Sequence, residues 1–326
     1  MSFRARVLVT GAGGFIGHHL CRYLVARGYW VRGADWKAPG FEPSRAHAFE
    51  LLDLRRLDAC LQAARGVEEV YNLAANMGGI GFIESAKAEI SRDNVLINTH
   101  MLEAARIHGV ERFLFTSSAC VYPGYRQDSP DVTPLAEAEA YPADAEDGYG
   151  WEKLFSERMC RHFTEDFKLA TRVARYHNVY GPLGTYDGGR EKAPAAICRK
   201  VIAAGMTGKH EIEIWGDGEQ TRSFMYIDDC LEGTHRIMES DVKEPLNLGS
   251  DRLVTINQLV DMVEAIAGIG LRRTYRLDAP QGVRGRNSDN TLLREHLGWA
   301  PSISLEDGLE RTYAWIYDRM KAKAAA

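Results

Sequence analysis

The feature that most constrains this chain is a hydrophobic run, Arg6-Val-Leu-Val-Thr10, that passes directly into Gly11-Ala-Gly-Gly14-Phe-Ile-Gly17 and then into an amphipathic segment. The order predicts a strand, a tight turn and a helix over residues 14–27. Glycines at such a turn let backbone approach an anion, and the helix N-terminus aims its N–H groups at it. The spacing Gly11, Gly14, Gly17 is a GxxGxxG variant of the dinucleotide fingerprint, with Phe15 and Ile16 inside it. A second strand pattern, Trp30-Val-Arg-Gly-Ala-Asp35, ends on a carboxylate 18 residues beyond the last glycine. Asp35 suits the hydroxyls of an adenosine ribose and repels a 2′-phosphate, which favours NAD over NADP, although Arg32 and Lys37 stand near it. Asp53 and Leu54, at the end of the next short run, are expected at the adenine.

The alternation continues, with strand patterns at Val67–Leu73, Arg112–Thr116 and Ala170–Arg175 and helical patterns near 91–108 and 149–167. Such βαβ repetition predicts an α/β fold, a doubly wound parallel Rossmann sheet. After about residue 180 the pattern changes to short elements punctuated by Gly and Pro. Residues 1–180 are therefore expected to form mainly the NAD-binding domain. Residues 181–326 are expected to form mainly a smaller, partly interleaved substrate-binding lobe over the strand ends. The Lys/Ala-rich C-terminal tail is expected to fray.

Composition narrows the function. At 326 residues, 45% hydrophobic and 26% charged, the chain can bury a large core. A net charge of −5 argues against general nucleic-acid binding. No apolar run nears the roughly 18 residues of a membrane span. The six scattered cysteines form no CxxC and the ten histidines no HExxH, so neither a disulfide framework nor a protein-bound metal is expected. Reduced thiols and the absence of a hydrophobic leader predict a cytoplasmic protein.

Tyr149-Gly-Trp-Glu-Lys153 opens a helical pattern, and a four-residue separation puts Tyr149 and Lys153 on one face. A cationic Lys is expected to lower the phenol's pKa, so that Tyr149 can exchange a proton with a sugar hydroxyl. Ser118, where the strand pattern ending in Thr116 reaches the surface, would hydrogen-bond the same oxygen. Together with the glycine loop, these residues resemble the extended short-chain dehydrogenase/reductases, many of which act on nucleotide sugars. His177-Asn-Val-Tyr-Gly-Pro182 and Trp215-Gly-Asp-Gly…Thr-Arg-Ser-Phe224 carry the resemblance on to the sugar pocket.

Four stretches are more specific: Asn72–Phe82, Ser117-Ser-Ala-Cys-Val-Tyr-Pro123, Gly188-Gly-Arg-Glu-Lys-Ala-Pro-Ala-Ala196 and Gly282-Val-Arg-Gly-Arg-Asn-Ser-Asp-Asn290. They resemble the GDP-mannose 3,5-epimerase family. The resemblance implies GDP-D-mannose as substrate, with GDP-L-galactose and GDP-L-gulose as products. It also implies Cys120 and Lys192 as the acid/base pair, and Tyr149 and Lys153 as the redox pair. The chemistry needs both sets. The C–H bonds at C3 and C5 of a hexose are not acidic until C4 becomes a ketone, and inversion then requires one group to remove a proton and another to return it from the opposite face. Cys120 is expected to abstract and Lys192 to donate.

Substrate contacts are expected from Gly78 and Gly79, whose loop can approach the hexose, and from Asn178, Glu191 and Gln220. Lys200, Arg222, Arg284 and Arg286 are candidates for the diphosphate, which guanidinium groups grip bidentately. Residues 201–213 read as a looser stretch, which leaves the guanine contacts open. A GDP-L-fucose synthase is the nearest rival, but by resemblance it carries His where this chain has Lys192. A non-catalytic NAD sensor would not need the intact Tyr149 and Lys153. The resemblance further implies a homodimer built from the helices near 91–108 and 149–167.

Overall fold

A computed structural model describes residues 3–325 of the chain. Its first half alternates β1 (Arg6–Thr10), α1 (Phe15–Ala26), β2 (Trp30–Asp35), β3 (Ala48–Leu51), α2 (Leu57–Ala64) and β4 (Glu69–Asn72). There follow α3 (Ile80–Ser85), α4 (Lys87–Ile107), β5 (Arg112–Ser118), α5 (Asp147–Phe167) and β6 (Ala170–Tyr176). The second half is finer grained: β7 (Val179–Tyr180), α6 (Ala193–Thr207), β8 (Glu211–Trp215), β9 (Thr221–Ser223), β10 (Met225–Tyr226), α7 (Ile227–Glu239) and β11 (Leu246–Leu248). It closes with β12 (Leu253–Thr255), α8 (Ile256–Ala267), β13 (Arg272–Arg276), β14 (Gly285–Arg286), α9 (Thr291–Leu297) and α10 (Leu305–Ala325).

Seven strands pair in the order β11-β6-β5-β4-β1-β2-β3, every pair parallel. The β-branched and aromatic residues of β1, β4 and β5 are buried on both faces, as a sheet covered by helices requires. On one face Leu8, Val70, Phe113 and Phe115 pack with Met101 and Leu102 of α4 and Cys160 and Phe163 of α5. On the other, Val7, Val9, Tyr71 and Leu114 share a core with Leu20 and Leu24 of α1 and with α6, α7, α8 and α10. The strand order reverses between β1 and β4, which opens a crevice at their carboxyl ends. There Thr10 Oγ1 donates to Asn72 Oδ1 at 2.8 Å and locks the two strand ends together.

The second lobe is interleaved with the sheet domain. Strand β11 returns to the main sheet, whereas β12-β9-β14 form a small separate sheet and β8 pairs only with β13. Two sequence expectations are corrected. Residues 201–213 are not loose: α6 runs to Thr207, Gly208 takes a left-handed φ of 68° that ends it, and β8 begins at Glu211. The Lys/Ala tail is helical to Ala325, because Leu309, Thr312 and Ile316 anchor α10 and Ala and Lys extend helices well.

Candidate active site

The glycine loop is shaped by contacts that exclude side chains. Gly11 has a left-handed φ of 68°, and a Cβ on it would lie 2.9 Å from the Ala74 nitrogen. A Cβ on Gly13 would meet the Lys37 carbonyl at 2.1 Å, and one on Gly17 the Gly11 carbonyl at 2.2 Å. Gly14 caps α1 without a side-chain acceptor, and the first turn holds no acidic residue. The amides that open α1, at Phe15 and Ile16, are thus left for an anion at the strand ends. Asp35 lies beside the loop, where its carboxylate accepts from the Gly13 amide at 2.9 Å and the Lys37 amide at 3.2 Å. Burial pushes its carboxyl upward against those bonds. Arg32 is turned away, donating to the Ala63 and Arg65 carbonyls at 2.8 Å and pairing with Glu50, so it offers nothing to a 2′-phosphate. This backbone cradle with one carboxylate fits a dinucleotide without a 2′-phosphate. Asp53 pairs with Arg55 at 2.8 Å, and Leu54 is buried with its carbonyl accepting from Cys60 Sγ.

The redox candidates meet where β5 ends. Ser118 accepts from the Cys120 amide at 3.2 Å and lies near enough to the Tyr149 phenol to pull its pKa down. Its neighbour Ser117 faces the opposite side of the strand and donates to Glu157 at 2.5 Å, in a buried cluster where Arg175 grips both Glu157 oxygens. Lys153 is buried, donates to the Thr116 carbonyl at 3.1 Å and lies 5.5 Å from the centre of the Tyr149 ring. Sequence reasoning gave Lys153 the task of lowering the phenol's pKa. The geometry differs: burial pushes Tyr149 well above its ordinary range, with Cys120 and Glu152 adding to that, and Ser118 alone pulls it down. The physical reason is first the burial of the phenol; Glu152, 3.7 Å from the Lys153 ammonium and held by Asn94 at 2.9 Å and Asn98 at 3.3 Å, adds to it in the same direction.

Cys120 follows in a short 3-10 turn and is half-buried, whereas the other five cysteines are buried. The first turn of α5 sits directly on it. A Cβ on Gly150 would come within 2.2 Å of the Cys120 carbonyl, which accepts from the Glu146 amide at 2.9 Å. Lys192 is the N-cap residue of α6 and couples electrostatically to Cys120. Burial pushes its ammonium below the usual lysine range, and the positive end of α6 acts in the same direction. The two loops singled out around the sugar touch: a Cβ on Gly79 would lie 2.9 Å from the Glu191 carbonyl, and Arg190 stacks 3.8 Å over Phe82 beside Gly78. Glu191 itself is taken up by the Gly189 amide at 2.7 Å and Arg199 at 3.1 Å.

Arg222 and Arg286 are register partners on β9 and β14. Arg286 donates from Nε to Gln127 at 2.6 Å, pairs with Glu146, and places Nη1 3.6 Å from Cys120 Sγ. Arg222 donates to the Thr221, Gln281 and Val283 carbonyls, and burial lowers its pKa to about 10. Arg284 pairs with Asp217 at 3.0 Å. Lys200 donates to the Glu213 carbonyl at 2.7 Å and Gln220 to the Trp215 carbonyl at 2.8 Å, so both are held against β8. Asn178, at a left-handed φ of 33°, donates to the Ser223 carbonyl at 3.0 Å. Sequence reading missed Gln127, Glu146, Glu152 and Gly150. Their partners lie in other elements, and only the YxxxK stretch Tyr149–Lys153, which contains Gly150 and Glu152, hinted at the last two.

Comparison with known proteins agrees with this geometry. The profile of the NAD dependent epimerase/dehydratase family matches residues 7–249. A GDP-mannose 3,5-epimerase of Oryza sativa subsp. japonica is 48% identical over 98% of this chain and 84% of its own length. Among solved structures, UDP-glucose 4-epimerase of Thermotoga maritima superposes with a TM-score of 0.87 at 28% identity, covering 97% of this chain and 99% of that one. UDP-glucuronic acid 4-epimerase of Bacillus cereus, solved with UDP-glucuronic acid and NAD, gives 0.82 at 27% identity over 96% and 99%. With seven parallel strands, a side-chain-free glycine cradle and the Ser118–Tyr149–Lys153 set in place, the chain belongs to the NAD dependent epimerase/dehydratase family and, within it, to the GDP-mannose 3,5-epimerases.

Proposed function

We propose that the chain inverts GDP-D-mannose through a transient 4-ketone, at C3 and C5 to give mainly GDP-L-galactose and at C5 alone to give GDP-L-gulose, with no net redox change. The reading rests above all on the convergence, at the end of β5, of a redox pair and a separate proton-transfer pair. Ser118 accepts from the Cys120 amide at 3.2 Å, and the residue before α5 holds the Cys120 carbonyl at 2.9 Å. Helix α5 carries Tyr149 and Lys153 onto the same strand end, with Lys192 at the start of α6 near enough for the charge of Cys120 to bear on it. A simple 4-epimerisation has no use for the second pair.

NAD, held by the Gly11–Gly17 loop and Asp35, supplies a reversible hydride acceptor and donor for C4. Tyr149 takes the C4 hydroxyl proton and later returns it, with Ser118 hydrogen-bonding the same oxygen. Lys153 orients the phenol and is itself fixed by Thr116 and Glu152. With C4 oxidised, the adjacent C–H becomes acidic. Cys120 removes that proton as the base, the electron pair moves onto the C4 oxygen as an enolate, and Lys192 returns a proton to carbon from the opposite face. Burial of Lys192 favours its neutral form, so the ammonium gives up its proton more readily than a solvated lysine would. The diphosphate is met by Arg222 and Arg286, register partners on adjacent strands. Arg286 is buried and already paired with Glu146, whereas Arg222 is half-buried with only carbonyl partners, so that an anion would relieve its charge. Arg284, Lys200 and Gln220 extend the polar lining toward the nucleotide.

The partner of one chain is a second copy, joined through α4 and α5, where Leu96, Trp151 and Phe155 are exposed although large and apolar. Among the described residues no helix is long and apolar enough to cross a membrane, and no group of ligating side chains is gathered for a metal ion.

The test is incubation of the purified, NAD-loaded protein with GDP-mannose in deuterated water. Solvent deuterium at C3 and C5 without accumulation of NADH is expected. Folded, NAD-loaded protein that exchanges neither position would overturn the reading.

A further inference from the structure

Around the Cys120 sulfur the structure assembles more charge than proton transfer by two residues requires. Arg286 reaches it with Nη1 at 3.6 Å. Lys192 from the start of α6 and Arg222 from β9 are coupled to it as well. Ser118 accepts from the Cys120 amide at 3.2 Å, and the charge of Cys120 bears on Tyr149 of α5. Against these cations stands one carboxylate, Glu146, which pairs with the same guanidinium that touches the sulfur. Glu146 is the residue immediately before α5, and its backbone amide holds the Cys120 carbonyl at 2.9 Å, so backbone and side chain bracket the thiol from one position. Gln127 fixes the third side of Arg286. It is fully buried, accepts from Nε at 2.6 Å, and donates to the Tyr122 and Pro123 carbonyls, which makes it a rigid acceptor.

We infer that the Arg286–Glu146 ion pair, aimed by Gln127, sets the charge on the Cys120 sulfur: Arg286 favours the thiolate and Glu146 restrains it. The inference rests on the epimerase reading only for its purpose. A group that must take a proton and release it within one turnover cannot be held permanently in either form. A guanidinium beside sulfur stabilises the anion, and a carboxylate on that guanidinium withdraws part of the effect. Glu146 and Gln127 are thus positioning residues, acting through Arg286.

The measurement is the rate of Cys120 alkylation by iodoacetamide in the absence of nucleotide sugar, followed by peptide mass spectrometry across pH. The other five cysteines are buried and serve as internal controls for folding. Glu146→Gln keeps the shape and the backbone hydrogen bond to the Cys120 carbonyl but removes the countercharge, and should raise the rate at pH 7 by about threefold or more. Arg286→Met should lower it by about the same factor, and Arg286→Lys, which keeps the charge, should stay close to the parent. The pH midpoints of the first two variants should move in opposite directions. A purely structural role predicts that both variants move together, through loosening of the loop. That outcome, an unmoved Glu146→Gln, or an Arg286→Lys as slow as Arg286→Met would overturn the inference. Because no sugar is present, failure here leaves the deuterium-exchange result untouched, and failure of that exchange leaves the thiol measurement standing.

Discussion

Ser117 and Ser118 are neighbours in sequence, yet strand alternation sends one to a buried ion pair and the other to the side of the Tyr149 phenol. The sequence reading singled out Ser118 for the sugar oxygen; the buried ion-pair partner of Ser117 was not legible, because Glu157 and Arg175 come from α5 and β6. A similar division separates Tyr149 from Lys153. Their spacing was legible, but the phenol's environment was not, because Glu152, Asn94 and Asn98 come from α4 and α5 together. Tyr149→Phe should leave the fold and dinucleotide binding intact while lowering deuterium incorporation from solvent by about 10²–10⁴-fold, the usual worth of a positioned acid/base group. Single-turnover mass spectrometry of the sugar checks this. Rates within about tenfold of the parent would remove Tyr149 from the redox step.

At the scale of elements, strand ends carry the chemistry and strand beginnings carry a buried charge. Glu69 opens β4 at 2% exposure, and burial pushes its carboxyl up to about 7 although Arg112 lies 2.7 Å away and pulls it down. An acid whose pKa is raised in the folded state binds more protons there than in the unfolded chain. Its contribution is therefore full below about 4.5, the unfolded value, and is lost as pH rises through about 7. The melting temperature of Glu69→Gln should exceed that of the parent at pH 8, by about 1–3 kcal/mol of stability, with the gap closing toward pH 5. Thermal denaturation at the two pH values decides it, and a gap that widens on acidification would refute the assignment. The glycine loop belongs to the same scale. The strand–glycine–helix order predicted the cradle, but only the fold shows that the Lys37 carbonyl occupies the space a Gly13 side chain would need.

For the whole molecule, α10 ties the two lobes together. Trp315 meets Phe41, from the loop after β2, at 4.9 Å and Tyr186, from the loop leading to Lys192, at 5.6 Å. Upstream of the Lys/Ala tail, α10 thus braces a loop from each half of the chain. The exposed faces of α4 and α5 are the remaining large-scale feature. Trp151 and Phe155 are 49% and 46% exposed and four residues apart, hence on one side of α5. Trp151→Glu combined with Phe155→Glu should convert the sedimenting species from dimer to monomer in analytical ultracentrifugation. A parent protein that already sediments as a monomer would exclude the α4–α5 interface.

What the sequence by itself determined is the part written in local periodicity. The βαβ alternation, the glycine turn, Asp35 at the end of β2 and the Tyr149–Lys153 spacing are all properties of residues within one or two turns or strands of each other. Resemblance then singled out Cys120 and Lys192. Only the tertiary structure decided what surrounds them: Arg286 from β14 against the sulfur, Glu146 and Gln127 holding it, and Glu152 beside Lys153. The reason is physical. Burial and neighbouring charge set the proton affinity of a side chain, and both depend on groups up to 166 residues away in the chain.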